Sequence, residues 1–511
     1  MVRIFKGDTG MASNGNLYAH FQQHFPADLG ERLLITSQGR SVSYAEAEDA
    51  SSRLANTLLQ VGGTPGDRVT VQVEKSAENL FLYLACLRAG LVYHPLNTAY
   101  KASELTYFLG NAEPSIVICS SAALATMKTA VPSNSGTVLL TLDADGSGTL
   151  MDKAEDASAE AEVAHKEGCD MAALLYSSGT TGQPKGIMLS HDNLRNNAET
   201  LVQLWGFSAS DRLLHTLPIY HVHGLFVAVS CVLMSGASMV WHSGFDSEAA
   251  VVALPDCTVM MGVPTFYTRL LENPEFDSEC CSNMRLFVSG SAPLLAETFE
   301  EFQTRTGHTI LERYGMSETG MNTSNPLHGE RRAGTVGPPL PNVSVRIVDD
   351  AGISVPDGEP GDLQVRGPNV FPGYWRMPEK TAEDFTEDGF FNTGDKATID
   401  ADGYVSIVGR AKDMVITGGL NVYPKEIELV IDEIAGVKES AVIGIPHDDF
   451  GEAVIAVVVP ETDAPSADRI IEHCKNLLAN FKIPKRVEFV EVLPRNAMGK
   501  VQKNLLREEY S

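Results

Sequence analysis

The stretch that most constrains this 511-residue chain is residues 68–119, where strand-like and helix-like patterns alternate. Arg68-Val-Thr-Val-Gln-Val73 carries apolar side chains at every second position, the period of a strand. Ala77 to Arg88 then sets Leu80, Tyr83, Leu84 and Leu87 at helical spacing, and the pattern stops at Gly90. Pro114-Ser-Ile-Val-Ile-Cys119 reads as a buried strand. Parallel strands need a long crossover between them, so strand, helix and strand in succession predict an α/β fold with a substantial parallel sheet.

The rhythm changes further along. Val343-Ser-Val-Arg-Ile-Val348 and Gly361-Asp-Leu-Gln-Val-Arg-Gly367, separated by turn residues, predict a small β-rich subdomain. Beyond Gly409-Arg410, Ser440 to Pro446 and Ala453 to Val459 read as paired strands. Ser466 should cap a helix with Ile470, Ile471, Cys474, Leu477 and Leu478 on one face, and Val487 to Val492 gives another strand. The expected architecture is a large N-terminal domain (1–408) of α/β subdomains with a β-rich subdomain. A hinge at 409–413 and a small, mobile α+β C-terminal domain at 414–511 should follow. Between Asp143 and Asp170 the acidic, Ala/Glu-rich text suggests a solvated connection or surface helix.

Composition excludes some functions. A net charge of −27 repels nucleic acid and anionic membrane, so neither is an expected partner. No apolar run reaches the ~18–20 residues of a membrane span, and no membrane insertion is expected. The start, M-V-R-I-F-K-G-D-T-G, is too short and polar for a signal peptide, with Met11-Ala-Ser as an alternative start. The eight cysteines form no C-x-x-C and no zinc spacing, and most sit in apolar text; a reduced, cytoplasmic setting is expected.

Residues 176–186, Y-S-S-G-T-T-G-Q-P-K-G, carry the strongest chemical signal. Glycines, hydroxyls and one lysine make a loop rich in donors and poor in bulk, suited to wrapping a polyphosphate. The spacing is not the G-x-x-x-x-G-K-[ST] of P-loop nucleotide hydrolases. Four further segments follow in order. Arg313-Tyr-Gly-Met-Ser-Glu-Thr319 places a carboxylate beside a hydroxyl, able to hold Mg²⁺ and touch a phosphate. Phe391-Asn-Thr-Gly-Asp395 and Gly409-Arg-Ala-Lys-Asp413 offer an acceptor and a donor for sugar hydroxyls. Ile416-Thr-Gly-Gly-Leu-Asn-Val-Tyr-Pro424 has two adjacent glycines that permit close backbone approach by a ligand. Pro494-Arg-Asn-Ala-Met-Gly-Lys500 puts a lysine after a glycine near the C-terminus.

In this order the five segments resemble the motifs of the adenylate-forming superfamily of acyl-CoA synthetases, luciferases and adenylation domains, and most closely its acyl-CoA synthetase branch. The resemblance implies roles. Ser177, Ser178, Gly179, Thr180, Thr181, Gly182 and Lys185 would hold the ATP phosphates, with Thr180 also catalytic. Gly290, Ser291 and Ala292, with Arg313, Tyr314, Gly315, Met316 and Ser317, would border the nucleotide; the family usually has threonine where Ser317 stands. Glu318 would be catalytic and the Mg²⁺ ligand, Asp395 and Arg410 would grip the ribose, and Lys412 would be the hinge. Gly418 and Gly419 would line the path of coenzyme A, and Lys500 would bridge carboxylate and α-phosphate, its ammonium stabilising the charge that builds there.

Leu217-Pro-Ile-Tyr-His-Val-His-Gly-Leu225, Met261-Gly-Val-Pro-Thr-Phe-Tyr-Thr-Arg-Leu270, Met284 to Leu294 and Met321-Asn-Thr-Ser-Asn-Pro326 resemble the malonate-activating members, the malonyl-CoA synthetases. That resemblance implies malonate, ATP and CoA as substrates, with another short-chain acid (methylmalonate or a monocarboxylate), or delivery to a carrier protein, as alternatives. A dicarboxylate needs a cation at the blind end of a short pocket. Arg285 and the pair His221 and His223 are the candidate counter-charges, with Met316 beside them and His221 also at a catalytic position of the family.

Overall fold

The computed structural model describes residues 14–178, 184–291, 294, 296–349, 351–410, 415–422, 424–461, 463–494 and 501–511. Its large N-terminal domain is built on two mainly parallel sheets. One has six strands in the spatial order Val138–Thr141, Ile116–Cys119, Arg68–Gln72, Val92–Pro95, Met171–Ser178 and Pro184–Ser190. All neighbours run parallel except the last two. The other has eight, ordered Gly320–Ser324, Ile310–Met316, Leu286–Ser289, Val259–Gly262, Arg212–His215, Ser238–Trp241, Arg32–Thr36 and Ser41–Ser43. Its inner six are parallel, and an antiparallel strand closes each edge.

The largest core draws side chains from both sheets and from helices Tyr44–Gln60, Ala77–Arg88 and His191–Leu204. Ala77–Arg88 is buried along its whole length, so the stripe read from the sequence was only part of its contact surface. Ser76 caps it by accepting from the N–H of Asn79, and Arg88 at its end donates through Nη2 to Glu48 and Tyr18. The strand at 68–72 is likewise buried on both faces, as an inner parallel strand must be. Its alternating polar residues do not face water: Thr70 bonds His94, and Gln72 donates to the Asn97 carbonyl. The acidic connection holds a short helix, Thr149–Glu155, followed by irregular chain.

The β-rich expectation is met by a four-stranded antiparallel sheet of Ser344–Val348, Gly361–Arg366, Phe391–Ile399 and Val405–Arg410. The smaller C-terminal domain has its own sheet, in which Val437–His447 pairs antiparallel with Gly451–Pro460, and Arg486–Phe489 joins the latter in parallel. Alternate residues feed separate cores on its two faces, Val442 and Val454 on one, Ile443 and Ile455 on the other. Ser466 caps helix Ala467–Leu477 by accepting from the N–H of Arg469. The expected hinge at 409–413, with Lys412, falls largely on residues 411–414, outside the described residues.

All eight cysteines are free; six are buried, Cys280 is half-buried and Cys169 exposed. No helix among the described residues is long and apolar enough to cross a membrane.

Candidate active site

Several of the expected site residues, Gly290, Ser291 and Arg313 among them, stand at the C-terminal ends of the parallel strands of the eight-stranded sheet, where open α/β sheets bind ligands. Strand Leu286–Ser289 runs out into Gly290 and Ser291, and strand Ile310–Met316 carries Arg313 just past its last parallel partner, the pair Ser289 and Glu312. Ser291 adopts φ +71°, a conformation costly for a residue with a side chain, and its hydroxyl lies 3.4 Å from Nδ1 of His223. Ala292 lies outside the described residues.

Arg313 is the dominant charge of this end. Only 3% of it is exposed, and its Nε and Nη2 have no hydrogen-bond partner among the described residues. Burial pushes the guanidinium down to about 10, so it stays charged at neutral pH. Gly290 lies directly over it: a Cβ there would sit 2.5 Å from the guanidinium carbon. His223 is buried beside it at the start of a π-helical turn, His223–Val229, with Nε2 also unpartnered. Burial first, and then the Arg313 charge, hold His223 well below the ordinary histidine range, so its ring is neutral. The loop that carries it is braced from below. His215 Nε2 bonds the Gly224 carbonyl, and Lys75 Nζ reaches both Nδ1 and the carbonyl of His215. His221 is exposed, its ring against Tyr220. Tyr220, Phe266 and Arg269 line an adjoining cavity of about 320 Å³.

On the far side the β-rich sheet closes in. Tyr314 donates its hydroxyl to Asp395 (2.5 Å), which is 2% exposed and pairs in register with Arg410. The side chain of Arg410 lies outside the description. Met316 is half-buried, its sulfur 3.9 Å from the Tyr314 hydroxyl, and Gly315 and Ser317 flank it at the strand end. Glu318 is buried, 3.5 Å through Oε1 from the hydroxyl of Tyr374, which also takes the Lys185 ammonium at 3.1 Å. Lys185 lies over the Tyr374 ring and reaches Asp384 Oδ2 at 3.4 Å. Tyr374 and Asp384 escaped the sequence reading; the only signal was the aromatic run Phe371-Pro-Gly-Tyr-Trp375. Lys185 itself stands on a strand, since Pro184–Ser190 pairs antiparallel with Met171–Ser178, and the helix starts at His191. Gly179, Thr180, Thr181 and Gly182 lie outside the described residues, as do the side chains of Ser177 and Ser178.

The C-terminal domain meets this same edge. Gly418 and Gly419, at φ +56° and +74°, form the two-residue turn between Val415–Thr417 and Leu420–Val422. A Cβ on Gly419 would lie 2.9 Å from Val263, the residue that leads into helix Pro264–Glu272. Lys500 lies outside the described residues.

Arg285 is corrected. It precedes its strand, at the opposite end from Gly290, and its guanidinium is consumed there. It donates to Asp211 through Nε and Nη2 (2.7 and 2.8 Å) and to the Trp205 carbonyl through Nη1 (2.9 Å). Each guanidinium nitrogen of Arg285 is thus already engaged.

The family profile described as "AMP-binding enzyme" matches residues 22–375, and "AMP-binding enzyme C-terminal domain" matches 426–500. The crystal structure of ATP-bound MatB from Rhodopseudomonas palustris is 52% identical, covering 97% of this chain and 99% of its own, with a TM-score of 0.78. The malonate–CoA ligase of Arabidopsis thaliana is 32% identical, over 99% of this chain and 91% of its own. A feruloyl-CoA synthase of Amycolatopsis sp is 35% identical, over 92% of this chain and 94% of its own. Relatives of similar identity thus carry names of different acids, and the acid must be argued from the site.

Proposed function

Because the chain belongs to the AMP-binding enzyme family, we propose that it is an AMP-forming malonate–CoA ligase, acting in the cytoplasm. In the first step a malonate oxygen attacks the α-phosphorus of ATP, forming malonyl-AMP and releasing pyrophosphate. In the second the CoA thiol loses its proton and its sulfur attacks the acyl carbon, giving malonyl-CoA and AMP. The observation that carries the acid is Arg313, a buried guanidinium with two unpartnered nitrogens beside a neutral histidine. One carboxylate of malonate must lie free at phosphorus; the other brings the charge and the paired acceptors that Arg313 lacks. An aromatic acid such as ferulate would leave that cation buried and unpaired, a cost of several kcal/mol.

The remaining roles follow. Tyr314 and Asp395, already hydrogen-bonded, offer the ring and the carboxylate that would take adenine and ribose hydroxyls, with Arg410 in register beside them. Lys185 would meet the phosphates. Glu318, a single buried carboxylate near that lysine, suits Mg²⁺, which takes one or two carboxylates with substrate phosphates and would neutralise their charge. Lys500 would approach the α-phosphate in the first step and withdraw as the C-terminal domain turns about Lys412. The second arrangement would present the Gly418–Gly419 turn to the thiol's path, which the contact with Val263 supports.

The test is acid-dependent pyrophosphate exchange with malonate, methylmalonate, propionate and ferulate, on wild type and Arg313→Met. Malonate should be the best substrate, and the variant should lose about a hundredfold or more in kcat/KM for malonate while propionate turnover holds or rises. Equal loss for both acids, or preference for ferulate, would sink the assignment.

A further inference from the structure

A buried charge cluster joins the two domains. Lys482 Nζ, from the small domain, lies 2.6 Å from Glu426 Oε1 of the same domain and 2.7 Å from Glu104 Oε1 of the large one. The side chains are only 5%, 12% and 7% exposed, and the Tyr100 ring covers the ammonium at 4.8 Å. Glu104 is held by its other oxygen, which accepts the N–H of Lys101 at the start of helix Ala102–Ala112. The neighbouring Ser103 hydroxyl donates to the Leu477 carbonyl, a second link across the junction. By contrast a second interdomain ion pair among the described residues, Arg269 with Asp449, is 40% and 45% exposed and so weakly stabilising.

The cluster is asymmetric in a useful way. Were the domains to turn, Lys482 would keep Glu426, which travels with it. The Glu104 ion pair, with the Tyr100 ring over the ammonium, depends on the present apposition, in which Gly419 abuts Val263. We propose that Glu104 is a positioning residue for the thioester-forming step: by engaging the Lys482–Glu426 pair it holds the arrangement that brings the Gly418–Gly419 turn to the active site. This rests on the two-arrangement reading above. Burial drives Glu104 above the ordinary carboxylate range and the Lys482 charge opposes this, so removal of the lysine would leave a carboxyl that prefers to be neutral.

The test separates the half-reactions. Glu104→Gln keeps the size and the acceptor for the Lys101 N–H but removes the charge. It should slow conversion of supplied malonyl-AMP and CoA about tenfold while pyrophosphate exchange stays within about twofold of wild type. Lys482→Met should do the same, and the double variant should be no slower than Lys482→Met alone, since one contact is lost in both. Equal loss in both half-reactions means a structural role only and overturns the proposal, as does an unchanged thioester rate or additive losses. If wild type shows no malonate-dependent exchange, the malonate reading fails; the same variants are then measured with whichever acid supports exchange, and the same outcomes decide.

Discussion

Two arginines mark the two ends of the eight-stranded sheet, and they are treated in opposite ways. Arg285, at the N-terminal end, has Asp211 and the Trp205 carbonyl on its guanidinium. Arg313, at the C-terminal end, is more deeply buried and has Nε and Nη2 unanswered. Burying a cation without partners is among the most costly things a fold can do. A sheet that pairs each guanidinium nitrogen of one arginine, and leaves two of the next strand's without a partner among the described residues, is built to receive an anion at that end. Residue type could not distinguish them; hydrogen-bond satisfaction does.

The hardest test of the closed end is Asp211→Ala. Asp211 is 3% exposed; burial alone would raise its carboxyl, but bonds from Arg285, Thr258 and the Ser208 N–H hold it below its ordinary range. Its loss strands Arg285 and Thr258 together. We expect a stability loss of about 2–4 kcal/mol in urea unfolding, discounted because Arg285 is 31% exposed. The ratio of malonate to propionate turnover should not move. A changed ratio would return Arg285 to the substrate.

The open end is probed with a single methyl group. Gly290 has no positive φ, so alanine is conformationally allowed there and only space is at issue. Its Cβ would fall 2.5 Å from Cζ and Nη1 of Arg313, forcing the guanidinium aside. Gly290→Ala should cost roughly ten- to a hundredfold in malonate kcat/KM and little for propionate, because misplacing a positioned charge is felt only by the acid that uses it. Normal malonate kinetics would show that the distal carboxylate binds elsewhere.

These contrasts also show what the sequence could carry. Apolar periodicity located the strands at 68–72, 116–119 and 437–460 and the capped helix after Ser466, because burial writes directly into residue type. The order of α/β, β-rich and α+β regions was legible for the same reason. Satisfaction was not. Nothing near Arg285 in the chain announces Asp211, 74 residues away, and nothing near Lys185 announces Tyr374, 189 residues away. Arg313 stood in the sequence reading as a nucleotide neighbour; its missing partners exist only in three dimensions. The strand Pro184–Ser190 was not legible, because it opens on the proline, lysine and glycine of the phosphate-binding string.

The smallest effect tests the neutral floor beside Arg313. Burial holds His223 below the ordinary histidine value of about 6.5, with Arg313 pushing the same way. The folded chain therefore binds fewer protons there than the unfolded chain once pH falls below about 6.5, so stability present above that value is lost as pH falls. His215, lowered by burial and then by Lys75, acts in the same direction. Glu312, raised by burial to about 7, acts in the opposite sense: it takes up its proton in the folded state first and adds stability as pH falls from about 7 toward 4.5. Each fully shifted group contributes at most about 1.4 kcal/mol per pH unit. In urea unfolding between pH 6 and 5, His223→Asn should flatten the loss of stability and Glu312→Gln should steepen it, each by about 1 kcal/mol per unit or less. The acid-labile window of Asp211 lies lower, below about pH 4, so the two ends of the sheet titrate apart. A steeper slope in His223→Asn would mean that the ring is charged beside Arg313, and a site already holding two cations would no longer match a single distal carboxylate.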